Sequence, residues 1–139
     1  MLFTCVRISI TMFKLTTIVF FIAFSTLAVV HAIAIELSLY WHFWWLDIPM
    51  HFLGGVIVAL GLYTLRDIRV FPDRFLRVVP VVFFVFLVAV LWEIFEVKAG
   101  IPNYPNPSDY WFDTIKDICM GMCGGTLGYI IGNSLRNLE

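Results

Sequence analysis

Three pairs of ionisable residues are spaced so that both members of each pair fall on one face of a helix. They are Asp47 with His51, four apart; Glu93 with Glu96, three apart; and Asp113 with Asp117, four apart. Carboxylates gathered around an imidazole can hold a divalent cation, and such a donor set suits Zn, Mn or Fe better than soft metals. All six residues are therefore candidate metal ligands. A cation held there can activate water while a carboxylate takes the proton, which makes Glu93, Glu96 and Asp117 the candidate catalytic groups of a metal-assisted hydrolysis. No Gly-x-Ser-x-Gly nucleophile motif occurs in the chain. No organic cofactor is expected.

These pairs need elements to position them, and composition says what those elements are. The chain has 139 residues, 61% of them hydrophobic and only 14% charged, with a mean hydropathy of +0.93. A soluble domain is about half apolar and a quarter charged, so a soluble enzyme is excluded. The aromatic and branched aliphatic content likewise excludes a disordered chain. Four apolar stretches approach the roughly 20 residues that cross a hydrocarbon core: about 15–35, 48–65, 78–97 and 113–132. In lipid each backbone polar group must be satisfied inside its own segment or in a closed barrel, and no barrel-like alternation is present. The expected fold is all-α, a polytopic membrane four-helix bundle forming a single domain. The first stretch carries Lys14 and the small-residue run Ala32-Ile33-Ala34, as a secretory signal would, but it is too long for a signal h-region and is expected to remain as a helix.

Lys and Arg accumulate on the cytoplasmic side of membrane helices. Arg7 and Lys14 precede the first helix, Arg66, Arg69, Arg74 and Arg77 link the second to the third, and Arg136 follows the fourth. With four spans these segments share a side, so both termini are expected in the cytoplasm of an inner-membrane, multi-pass protein. Tyr40, Trp41, Trp44, Trp45, Tyr110 and Trp111 then form an aromatic belt on the opposite side. The formal net charge of -1 divides accordingly. Seven cations against Asp67, Asp73 and Glu139 leave +4 inside, while seven acids against Lys98 and Lys116 leave -5 outside.

The three pairs share the outer membrane depth, where an ionisable group is costly and faces the bundle interior. Gly121, Gly124, Gly128 and Gly132 continue the stripe of Asp113 and Asp117; Gly121 with Gly125 adds a small-residue pair, and Gly54 follows His51. Small residues let helices approach closely, so the acids are expected to share one outward pocket, and the same faces offer a route to a homo-oligomer. Structural roles compete with this reading. Asp47, ahead of Pro49, and Asp113 both suit the N-cap of a helix, and His51 alone suits a helix interface. Glu93 and Glu96 sit at a helix C-terminus, where the dipole disfavours an anion. They need protonation, a metal, or a counterion such as Lys98 or Lys116.

Other features carry less. Cys119 and Cys123 read as packing residues, and with Cys5 they give no disulfide or zinc-knuckle spacing. His31 and His42 lie near enough to reach the pocket. Asn106-Pro107-Ser108 is no glycosylation site, because proline intervenes. The basic link from Arg66 to Arg77 fits topology and anionic headgroups; no nucleic-acid partner is expected.

The order Asp47, His51, Phe52 and Gly54, then Trp92-Glu93-x-x-Glu96, then Asp113-Thr114-x-x-Asp117 ahead of a glycine-rich helix resembles the YjdF-like family of bacterial inner-membrane proteins. It is similar, more distantly, to the VanZ-like family. The resemblance covers residues 47–132. It implies a membrane protein of unknown biochemical role, since that is the standing of the YjdF-like group. VanZ-like proteins are associated with teicoplanin resistance, which is not carried over: Glu96 stands where their pattern has Gln, as Val97 stands where the YjdF-like pattern has Trp.

The expected function is thus a small membrane protein whose outward acidic pocket binds a divalent metal or a polar headgroup, extending to hydrolysis of an envelope substrate. The alternative is a non-catalytic structural or oligomeric protein, or part of a cation or proton pathway.

Overall fold

The computed structural model describes residues 14–100 and 107–138; Cys5, Arg7, Asn106 and Glu139 lie outside them. Among the described residues all regular structure is helical: α1 (Leu15–Glu36), the single turn α2 (Leu39–His42), a 3-10 turn (Trp44–Leu46), α3 (Asp47–Asp67), a second 3-10 turn (Asp73–Phe75), α4 (Val78–Ala99) and α5 (Pro107–Arg136). Helices α1, α3, α4 and α5 are long and apolar enough to cross a membrane. The protein is an all-α four-helix bundle of the membrane type.

Proline marks three helix starts. Pro49 and Pro80 lie in the first turns of α3 and α4, and Pro107 is the first residue of α5. There a missing N–H costs nothing, because the first four N–H groups of a helix have no internal partner. Helix α4 stops at Gly100, which takes the left-handed φ of 67° and donates its N–H back to the last turn. Helix α3 stops in the same way, but the left-handed residue after it is Arg69, φ 62°.

Two expected caps are absent. Leu46 occupies the N-cap of α3, so Asp47 is its first helical residue and its carboxylate is free to turn inward. Helix α5 starts at Pro107, six positions ahead of Asp113. Proline's fixed φ nucleates the helix early, and the run Tyr110-Trp111-Phe112 winds into it. Asp113 and Asp117 therefore sit well inside α5, beyond the reach of its N-terminal dipole.

Helix α3 is the centre of the bundle, touching α1, α4 and, most extensively, α5. Backbones meet where side chains vanish: a Cβ on Gly55 would overlap the Gly121 carbonyl, and one on Gly124 would overlap the Phe52 carbonyl. Gly128 abuts Val56 and Gly132 abuts the Tyr63 ring. The expected partner Gly54 is not the contact residue, because nothing lies within 4 Å of its Cβ position. The close stripe on α3 runs Asp47, His51, Gly55 at four-residue steps. The glycine faces are thus occupied within the chain. Ala59, Leu62, Tyr63, Leu76, Val81 and Val85 form the buried core, in the half of the bundle nearer the link between α3 and α4. Ile22, Val79 and Leu91, exposed by more than half, face outward, as lipid-facing residues do.

At the end of the bundle holding the start of α1 and the end of α3, the Asp67 side chain is 9% exposed and fully matched. Lys14 Nζ lies 3.3 Å and Arg66 Nη1 3.1 Å from its Oδ1, and Thr17 donates to Oδ2 at 3.2 Å. Arg66 Nε also donates to Asp73 at 2.7 Å, holding that exposed carboxyl below the usual carboxylate range. This basic end is clamped by ion pairs linking α1, α3 and the following link.

Candidate functional site

Helices α3, α4 and α5 bring their acids together at the opposite end. From α3, His51 Nε2 lies 3.3 Å from Asp47 Oδ1 and 4.0 Å from Asp117 Oδ2 on α5. Asp47, His51 and Asp117 each offer a ligand atom within 4.8 Å of the others, and so do His51, Glu93 and Glu96. One imidazole therefore belongs to two carboxylate groups. The shared depth of the α3 and α5 pairs follows from the α3–α5 glycine contact, which pulls the two backbones together one turn below the acids.

Burial sharpens the chemistry. Asp117 is 1% and Glu93 6% exposed. Glu93 Oε1, Asp117 Oδ1 and the Thr114 hydroxyl are buried without a hydrogen-bond partner. Buried polar atoms are nearly always bonded, and those left over mark a strained site or a functional one. Glu96 is better served, since Trp92 Nε1 donates to its Oε1 at 2.8 Å.

Lys116 is the lysine that reaches the cluster. Its ammonium donates to Asp113 Oδ1 and lies 3.4 Å from Asp117 Oδ1. Lys98 does not serve as counterion to the glutamates: it is exposed and forms no ion pair with either. Two residues beyond Glu96, it points to another side of α4. Asp113 is thereby separated from the other five candidates. It is engaged by Lys116 and belongs to neither group of potential ligands.

The cluster is bordered by aromatic residues from the α1–α3 connection. Tyr40 OH and His31 Nδ1 are 2.7 Å apart, and the His31 ring packs edge-on to Trp92. Burial, followed by the Asp47 and Glu96 carboxylates, pushes the Tyr40 hydroxyl up to about 12. It stays protonated beside the acids as a donor. His31 thus reaches the border of the site. His42 does not, because it is exposed and bonded to the Ser38 carbonyl. Cys119 and Cys123 are exposed on the outside of α5 and do not pack in the bundle; their stripe faces away from the one carrying Asp117 and Gly121.

Tyr40 and Thr114 were visible in the sequence only as a belt aromatic and a motif residue. Thr114 does lie three positions before Asp117 and so on its helical face, whereas Tyr40 comes from the short turn α2 and no spacing links it to the acids.

The model of the family described as Predicted membrane protein (DUF2238) matches residues 1–137, and the chain belongs to that family. Comparison with curated proteins and with solved structures returns no match.

Proposed function

We propose that this member of the DUF2238 family binds a divalent cation between α3, α4 and α5, drawing its ligands from Asp47, His51, Glu93, Glu96 and Asp117. The observation that carries the proposal is the buried, unbonded Glu93 Oε1 beside an imidazole shared by two carboxylate groups. Burying several carboxylates with a single ammonium is unfavourable unless a cation compensates them. Oxygen and imidazole donors point to Zn, Mn or Fe.

In this reading Asp113 has a different part, holding Lys116 beside Asp117. A bound cation supplies Lewis acidity and an activated water, and Glu93, with a free oxygen, is the residue placed to take a proton. The reaction class would be hydrolysis of an envelope substrate. The distribution of Lys and Arg supports an inner-membrane location with cytoplasmic termini and the acidic cluster facing out. The motif residues from Asp47 to Asp117 support kinship with YjdF-like proteins. A conduction pathway is not favoured, because Val56, Ala59, Leu60, Val81 and Val85 fill the space between the two polar ends.

The test is metal analysis of protein extracted in mild detergent, with melting followed as Zn, Mn and Fe are titrated. A stoichiometric ion or a metal-dependent rise in melting temperature is expected. Protein that contains no ion and melts identically with each metal overturns the proposal.

A further inference from the structure

The basic end holds a feature that the cation site leaves unexplained. A cleft of about 770 Å³ opens between the start of α1, the end of α3 and the link that follows, lined by Lys14, Thr17 and residues 66–73. Its charges divide into two sets. Asp67 and Asp73 take up Arg66 Nη1 and Nε, which leaves the two N–H groups of Arg66 Nη2. Arg69 makes no ion pair among the described residues, yet it lines the same cleft.

Arg69 is also where the backbone turns left-handed, φ 62°, a conformation that favours glycine. The turn is held by Arg69 N–H to the Arg66 carbonyl at 2.8 Å and Val70 N–H to the Leu65 carbonyl at 2.9 Å. A long cation held at a position suited to glycine draws attention to its side chain. The rest of the wall is apolar: Ile68 is 59% and Val70 66% exposed, and Phe71 is half-buried between them and the core. Arg69 lies two residues beyond the end of a membrane-capable helix, which puts the cleft at the edge of the hydrocarbon.

We propose that this cleft binds the phosphate of an anionic phospholipid, with Arg66 Nη2 and Arg69 on the phosphate and Ile68, Val70 and Phe71 against the glycerol and upper acyl chain. Guanidinium groups match phosphate oxygens in geometry and charge. The apolar wall at the membrane edge selects a lipid over a free anion. Asp73 opposes binding, since it engages Arg66 and carries a negative charge on the rim.

Native mass spectrometry of the full chain in detergent, offered equal phosphatidylglycerol and phosphatidylcholine, tests this. Preferential retention of phosphatidylglycerol is expected. Arg69→Gly should lower it about fivefold, the effect of one arginine at a membrane surface, while the protein melts no lower, because glycine suits the left-handed position. Arg69→Lys should fall between wild type and Arg69→Gly, since an ammonium keeps the charge and loses the fork of donors, and Asp73→Asn should increase retention. Equal retention of the two lipids, or undiminished retention by Arg69→Gly, overturns the proposal. Displacement by excess inorganic phosphate overturns the lipid assignment in favour of a free-phosphate site.

Discussion

Asp67 and Asp117 are aspartates withdrawn from the surface, the first partly and the second fully buried, one at each end of the same bundle, and their surroundings are opposite. Asp67 receives two cations and a hydroxyl. Asp117, with a side chain only 2% exposed, has an oxygen without a hydrogen bond, an ammonium at 3.4 Å that is shared with Asp113, and an imidazole at 4.0 Å. A carboxylate whose partners are all supplied by the fold works as a clamp. One whose partners are incomplete stores unfavourable electrostatics that a ligand can relieve. The two ends share the residue type and differ in the completeness of pairing, and the less completely paired aspartate is also the more deeply buried one.

The largest expected effect tests the incomplete end. At a metal concentration about a hundredfold above its Kd, a bound ion stabilises by about 2.7 kcal/mol. Glu93→Gln should abolish that metal-dependent rise in melting temperature while leaving the metal-free protein folded. If the rise survives, Glu93 is no ligand and the contrast between the ends loses its chemical meaning.

Asp67→Asn comes next. It strands Lys14 and Arg66 in a partly buried place and should cost about 1–3 kcal/mol, as loss of hydrogen bonds to a charged group does. Unfolding followed by circular dichroism in detergent measures it. The same isosteric change at the other end should have the opposite sign: metal-free Asp117→Asn should melt higher than the metal-free parent, because it removes a buried charge whose pairing is incomplete. If both variants are destabilised alike, the acidic end is a structural clamp too.

The smallest effect is expected at Asp73, which is fully exposed. Asp73→Asn should lower melting only slightly at neutral pH. Because Arg66 depresses the folded pKa of Asp73, what stability the pair gives is present above the ordinary carboxylate value of about 4 and is lost as pH falls through the depressed one. Wild type and Asp73→Asn should therefore differ least in strong acid, as parallel melts across that range would show.

Much of this was legible in the chain. Apolar runs of membrane length needed no tertiary information, because lipid obliges each segment to close its own hydrogen bonds. The six candidate residues were likewise visible, since a three- or four-residue spacing fixes a helical face locally. Helix starts were less legible. Asp47 and Asp113 both look like caps, and only the turn at Trp44–Leu46 and the early start at Pro107 show that neither caps a helix. Nor could spacing tell Gly54 from Gly55, as either falls near the face of His51. The choice depends on how far α3 is rotated when it meets α5.

What the sequence determined by itself is the class of protein, the faces on which its charges ride and the division of its charge between two ends, all of which follow from local periodicity and the hydrophobic effect. Only the tertiary structure decided which charges are answered. It gave Lys116 to Asp113 and Asp117, left Lys98 outside, completed the shell of Asp67 and left Glu93 with an unbonded oxygen. Pairing depends on distances between helices, and those were set by the places where glycine lets α3 and α5 touch.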